Sequence, residues 1–295
     1  MKMKKSIFRG VGTALITPFK DGKIDYKALE NIIEIQISAG ISALIVGGTT
    51  AEIATLSDEE RYSLYAFCKE KCAKRTKIIF GTGTNDTGAA VRHTMMAEKI
   101  GCDGVLLVTP YYNKGTEEGV FRHYSEILSV TSLPAILYNV PSRTGVNLGL
   151  GLLSRLMENE KVVGIKEASD SADRLVAISA YGKELPLYAG NDSQIYTCLS
   201  LGGEGVISVI SNLLPKETIE IARLFDEGKR EEALKLQQKL LPLIKALFLE
   251  TNPAPIKWAM QEVGLCSGEL RLPLYFPRES TVKALQAELR ALGLI

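Results

Sequence analysis

Histidine is nearly missing from this chain of 295 residues: His93 and His123 are its only imidazoles, and neither stands in an HxxE, HExxH or paired CxxC setting. Zinc-dependent aldol chemistry, which needs several such ligands at close spacing, is thereby disfavoured. Cysteine is sparse too. Cys68, Cys72, Cys102, Cys198 and Cys266 form an odd, scattered set of five. Cys68 and Cys72 sit one helical turn apart, but no second pair accompanies them, so they read as buried reduced thiols of a cytoplasmic protein rather than as metal ligands or disulfides. An excess of either charge is also lacking. The 35 Lys and Arg against 34 Asp and Glu leave a formal net charge of +1, and no basic stripe interleaved with aromatics offers nucleic acid a surface. No apolar run is long enough to span a membrane, and the basic stretch Met1 to Arg9 is followed by an apolar stretch soon broken by Pro18, Lys20 and Asp21, which makes no signal-peptide core.

What the chain does have is a recurring short apolar run. Strands are expected near Thr13–Thr17, Ala43–Gly47, Ile78–Gly81, Gly104–Thr109, Ala135–Asn139, Val162–Glu167, Leu187–Gly190 and Gly205–Ser208. Between them, stretches such as Ser57–Cys72, Asp86–Ile100 and Glu117–Thr131 carry apolar residues at three- and four-residue spacing, as covering helices do. Ser57 followed by Glu60 makes a capping box for one of them. The β/α alternation argues for a parallel sheet, and the count of strands argues for closure into a (β/α)8 TIM barrel, with a doubly wound open sheet as the alternative. Beyond Asp226 the strands stop. Arg230–Leu249, Pro255–Val263 and Glu279–Leu292 read as helices broken by Pro253, Pro255, Pro273 and Pro277. The expected organisation is a barrel over residues 1–226 with a small helical C-terminal domain over 227–295.

One lysine stands out against this pattern. Lys166 ends the run Val162, Val163, Gly164, Ile165 and is followed by Glu167, Ala168 and Ser169. A β-branched run reads as a buried parallel strand, and a lysine at its carboxyl end points into a dry pocket where an amine loses part of its proton affinity, as a Schiff-base lysine requires. The plain alternative is a lysine leaving a strand into solvent. Lys161, which opens the same strand, belongs to the opposite, stability face. The segments after the other strands are polar: Gly47 to Glu52 after the second, Thr109 to Lys114 after the fourth, Tyr138 to Gly145 around the end of the fifth. Singly, each has a bland reading. Gly48-Thr49-Thr50 can be a tight turn, Tyr111 and Tyr112 packing aromatics, Arg143 a surface charge. Gly202, Gly203 and Gly205 can be a helix end or a phosphate cradle.

Together the strings GGTTAE, TPYYNK, YNVPSRTG, GIKEAS and GGEGVIS, in this order over essentially the whole chain, resemble the dihydrodipicolinate synthase family within the pyruvate-dependent class I aldolases. The resemblance implies a homo-oligomeric, cytoplasmic enzyme that needs neither metal nor organic cofactor. Its substrates would be pyruvate and L-aspartate 4-semialdehyde, its dimer the smallest active unit, and a tetramer its expected form. By the same resemblance Lys166 carries the Schiff base, while Tyr138, Thr49 and Tyr112 form a proton relay, Tyr112 entering from a neighbouring subunit. Thr49 and Thr50 grip the pyruvate carboxylate through backbone N–H groups, Arg143 receives the carboxylate of the aldehyde, and the backbones of Gly190 and Ile207 line the pocket. A hydroxyl chain suits the chemistry, because each step moves a proton without leaving a charge in a dry site. Ala51 stands where the family usually has glycine, Gly115 where proline commonly follows Asn-Lys, and Asp170 and Asn191 are uncommon at their positions. Lysine-inhibited relatives place a carboxylate where this chain has Ala89 and a histidine where it has Arg61, so little inhibition by lysine is expected. A sibling lyase of N-acetylneuraminate or a 2-keto-3-deoxy sugar acid is the runner-up, disfavoured by Arg143. A ligand-sensing barrel without catalysis is the non-enzyme alternative, disfavoured by the retained Lys166, Tyr138, Thr49 and Tyr112.

Overall fold

The computed structural model describes residues 3–295. Eight parallel strands close into a barrel: β1 (Gly10–Ala14), β2 (Ala43–Val46), β3 (Lys77–Gly81), β4 (Gly104–Val108), β5 (Ala135–Asn139), β6 (Val162–Glu167), β7 (Leu187–Ala189) and β8 (Gly205–Ser208). The barrel helices are α1 (Tyr26–Ala39), α2 (Asp58–Cys72), α3 (Thr87–Ile100), α4 (Glu117–Ser129), α5 (Leu150–Leu156), α6 (Ala172–Ser179), α7 (Ile195–Ser200) and α8 (Pro215–Asp226). Three further helices, α9 (Arg230–Ala246), α10 (Ala254–Glu262) and α11 (Glu279–Ala291), follow without strands. The doubly wound alternative is excluded by the pairing of β1 with both β8 and β2.

The strands alternate, and that alternation sorts the core into two. Ile45, Ile79, Leu106, Ile136, Tyr138 and Ile207 belong to one cluster inside the barrel. Their neighbours Leu44, Val46, Phe80, Leu107, Leu137 and Ile165 belong to the larger cluster under the helices. By the same two-residue period Lys166 shares the interior side with Gly164, and Glu167 faces the helices. The fully buried Glu167 meets Arg174 of α6 at 2.9 Å and accepts two hydrogen bonds from Asn139.

Strand boundaries follow the sequence reading except at β1, which runs from Gly10 to Ala14 rather than from Thr13 to Thr17. Its ladder with β8 begins at Gly10↔Gly205, and Leu15 to Thr17 continue as buried backbone beyond it. A small hairpin, Phe19–Lys20 with Lys23–Ile24, turns through Asp21 and Gly22, both at positive φ. That two-residue Asp-Gly loop is a type I′ signature. The capping box of α2 is present, with the Glu60 amide donating to Ser57 Oγ and the Ser57 amide to Glu60 Oε2. Gly202 and Gly203 close α7, Gly203 N–H reaching Cys198 O at 2.9 Å, and both lie ahead of β8 at the amino-terminal face. They form a helix end, not a phosphate cradle. All five cysteines are free thiols, and burial pushes Cys72 and Cys102 up to about 11. No helix among the described residues is long and apolar enough to cross a membrane.

Candidate active site

Parallel register fixes the centre of the site. Tyr138 of β5 and Lys166 of β6 are direct partners across the ladder, so both side chains rise on the interior of the wall. The Lys166 Nζ lies 4.3 Å from the centroid of the Tyr138 ring, and the lysine is 5% exposed. Among the described residues no carboxylate stands at ion-pair distance from it. At the opposite end of β6, Lys161 donates to the Leu128 carbonyl at 2.6 Å, where it fastens the end of α4. Strand position thus separates the two lysines in the way the sequence implied.

A cavity of about 370 Å³ opens over Lys166 at the carboxyl end of the strands, lined among others by Thr49, Thr50, Tyr138, Arg143 and Gly190. Each wall has a local cause. After β2 the chain enters a 3-10 turn, Thr49–Ala51, whose bonds run from Ala51 N to Gly48 O and from Glu52 N to Thr49 O. The amides of Thr49 and Thr50 take no part in those bonds, which makes them donors for an anion. The left-handed residue of this segment is Glu52, at φ 53°, and not Ala51. Alanine therefore fits where the family usually has glycine. After β5, Pro141 opens a one-turn helix ended by left-handed Gly145, which sets Arg143 at the rim. Its guanidinium donates to the Asn252 carbonyl at 3.1 Å. At Gly190 a Cβ would stand 2.4 Å from that of Ala168, so only glycine lets β7 pass this wall.

The structure thus gathers Lys166, Tyr138, Thr49, Thr50, Arg143 and Gly190. Ile207 is fully buried in the barrel interior beside Ile45 and Tyr138 and does not line the cavity. Tyr112 stands apart, 88% exposed and at positive φ, lining neither this cavity nor its neighbour. That neighbour, about 290 Å³, shares Thr49, Tyr138 and Arg143 with the first and extends to Glu52, Ile53 and Tyr111. Tyr111 directs its hydroxyl to Thr84 at 3.2 Å. Asp170 and Asn191, the uncommon choices, meet at the rim, Asn191 Nδ2 lying 3.1 Å from Asp170 Oδ1.

Two site residues escaped the motif strings. Asp192 lines the cavity and is 1% exposed, its Oδ2 accepting from the Val209 and Ile210 amides at 2.9 Å. Burial pushes its carboxyl up from the ordinary range, while Ser208 and those two amides oppose the shift. Asn252, from the loop ahead of α10, donates from Nδ2 to Thr50 Oγ1 at 2.9 Å. Both are set by contacts with remote segments and have no local signature.

A lysine at the end of the sixth strand of a (β/α)8 barrel, with a tyrosine beside it and an arginine at the rim, defines a site built for carbonyl chemistry. Residues 7–292 match the model of the dihydrodipicolinate synthetase family, and the chain belongs to that family. The 4-hydroxy-tetrahydrodipicolinate synthase of Clostridium novyi is 47% identical over 282 residues, covering 95% of each chain. That of Thermotoga neapolitana is 45% identical over 294 residues, 98% of this chain and all of that one. The solved 4-hydroxy-tetrahydrodipicolinate synthase of Methylacidiphilum fumariolicum SolV superimposes with a TM-score of 0.94 at 46% identity, covering 96% of this chain and 95% of that one. A dihydrodipicolinate synthase variant described as monomeric gives 0.94 at 41% identity, covering 98% of both.

Proposed function

We propose that this chain condenses pyruvate with L-aspartate 4-semialdehyde to 4-hydroxy-tetrahydrodipicolinate, in diaminopimelate and lysine biosynthesis. The observation that carries the reading is Lys166, buried beside Tyr138 in a cavity with Arg143 at its mouth. Its free amine adds to the ketone carbon of pyruvate, and the carbinolamine expels water to give an iminium. Loss of a methyl proton gives the enamine, whose carbon adds to the aldehyde carbonyl. The amine of the second substrate then displaces Lys166 and closes the ring. Thr49 and Tyr138 move protons between these steps, and the amides of Thr49 and Thr50 hold the pyruvate carboxylate. Arg143 receives the second carboxylate, for which a planar guanidinium is suited and which a sugar-acid lyase does not need.

Tyr112 completes the relay from a second copy of the chain, which accords with its exposure in the isolated subunit. On this reading a dimer is the smallest active unit, and pairing of dimers gives a tetramer. Mixing Lys166→Ala with Tyr112→Phe subunits under exchange conditions is expected to restore activity, since hybrid dimers hold one intact site. No recovery despite proven exchange would place Tyr112 in its own subunit's site. The reaction itself is tested by borohydride trapping with pyruvate, mapped by peptide mass, followed by an aldehyde panel. An adduct on Lys166 and turnover of aspartate 4-semialdehyde are expected. Turnover confined to N-acetylmannosamine or a sugar aldehyde would move the assignment to the sibling lyases.

A further inference from the structure

The chain buries a second lysine that the chemistry above does not use. Lys257 of α10 and Glu52 are both fully buried, with Nζ 2.6 Å from Oε1. The other carboxylate oxygen accepts from the Arg271 amide at 3.0 Å. The Lys257 ammonium also stands 4.3 Å from the centroid of the Phe19 ring. Both hydrogen-bond partners of the Glu52 carboxylate therefore come from the helical C-terminal segment, some 200 residues away in sequence.

The place of Glu52 gives this pair its meaning. It directly follows the turn Thr49–Ala51, and its amide closes that turn on Thr49 O. It also holds a left-handed backbone that a glutamate adopts only when its surroundings impose it. One residue pair away, Asn252 of the same C-terminal segment grips Thr50 Oγ1 and accepts from Arg143. The turn that presents the Thr49 and Thr50 amides is thus fastened at both ends to one body, by a neutral hydrogen bond at Thr50 and by an ion pair at Glu52. A buried ion pair adds little net stability over an apolar pair of the same shape, but it fixes geometry sharply, because either partner alone is heavily penalised.

We propose that Glu52 and Lys257 are positioning residues for pyruvate: the pair holds the Thr49–Thr50 amides at the spacing a carboxylate needs. The inference rests on the reading of those amides as the pyruvate grip. Glu52→Gln disturbs the pair with little change of shape, because whichever way its amide turns, an NH2 group faces either the Lys257 ammonium or the Arg271 amide. Lys257→Met and the double variant complete a cycle. Glu60→Gln, which breaks the neighbouring Arg271–Glu60 bridge of 2.7 and 2.5 Å on the same seam, serves as a control for general loosening.

KM for pyruvate is expected to rise about tenfold in Glu52→Gln, measured well below its melting temperature. KM for the aldehyde should stay within about twofold, and the double variant should lose no more in kcat/KM for pyruvate than the worse single variant. Borohydride trapping at low pyruvate should fall in parallel. An unchanged pyruvate KM in a destabilised Glu52→Gln enzyme would reduce the pair to a structural staple. An equal rise in Glu60→Gln would assign the effect to seam loosening, and strictly additive losses in the cycle would separate the two residues. Each of these overturns the proposal. Absence of any pyruvate adduct in the unaltered protein would instead strike the reaction assignment.

Discussion

Two regions of this molecule bury a lysine, and they treat it in opposite ways. At the barrel centre Lys166 has an aromatic face and open cavity around it but, among the described residues, no carboxylate at ion-pair distance. At the seam between the β2 loop and α10, Lys257 has a carboxylate at 2.6 Å. Burial lowers the proton affinity of Lys257, and Glu52 works against that shift. An unpaired buried amine is a poor contributor to stability and a good nucleophile, whereas a paired one is the reverse. On the proposed reading, identical side chains divide into chemistry and fastening according to the presence of one counter-charge.

The comparison is broken most directly by removing each lysine. Lys166→Met should lower turnover by roughly three orders of magnitude or more, while the melting temperature stays level or rises, since a buried polar head group gives way to an apolar chain of similar length. A marked loss of stability would show that Lys166 also serves the fold. Lys257→Met should do the opposite to stability and strand the Glu52 carboxylate, at a cost of about 3 to 5 kcal/mol in chemical unfolding. An unchanged midpoint would mean that the seam relaxes around the lost charge.

Arg143→Ala should reduce kcat/KM for the aldehyde roughly ten- to a hundredfold through a lost charge-assisted contact, with pyruvate trapping preserved. Failed trapping with normal aldehyde affinity would reverse its role. Acid offers a gentler probe of the seam. Arg271 holds the Glu60 carboxyl below its ordinary value of 4.5, so the folded state binds its proton less readily than the unfolded chain does. That stabilisation is present above about pH 4.5 and is lost as pH falls through the lowered value. The melting temperatures of the parent and Glu60→Gln should therefore differ at pH 7 and converge in acid; a constant gap would deny the linkage.

The smallest effect concerns a cation offered from outside. Free L-lysine entering the cavity beside Tyr111 would find Glu52 already neutralised by Lys257. Nearby, Asp58 accepts from His93 at 2.9 Å, and Ala89 supplies no charge. Millimolar lysine should leave the coupled assay unchanged, and clear inhibition at lower concentrations would reveal a carboxylate still free to pair.

What could be read from the sequence divides along similar lines. Strands β5, β6 and β8 were legible to the residue because β-branched runs ended at polar or glycine boundaries, and α2 because its capping box is local. The start of β1 was not, since its limit is set by partners near residue 205 rather than by its own apolar content. Asp21 read as an interruption of an apolar stretch, although with Gly22 it makes the turn of a hairpin. Lys166 and Tyr138 near the ends of their strands, and Thr49, Thr50 and Arg143 just past theirs, were legible because the topology converges there and because the strings around them resemble a known family. Glu52 lay inside a quoted string yet gave no sign of its role. Its partners Lys257 and Arg271 arrive from the far end of the chain, and no local pattern encodes a contact across 200 residues.

The seam between β1 and β8 has a further consequence for how the molecule is made. Gly10 pairs with Gly205, and a Cβ on Gly205 would fall 1.8 Å from the Gly10 carbonyl oxygen, so the two ends of the wall meet with no room for a side chain. That closure joins residues almost as far apart as the barrel allows, and such non-local pairing forms slowly because loop entropy is spent before the contact rewards it. During synthesis β1 waits with one edge unpaired until residues 205–208 have left the ribosome. For that interval the chain carries an open strand edge that the finished enzyme never shows, and the window in which it is open to wrong partners is set by the time needed to translate the six strands between.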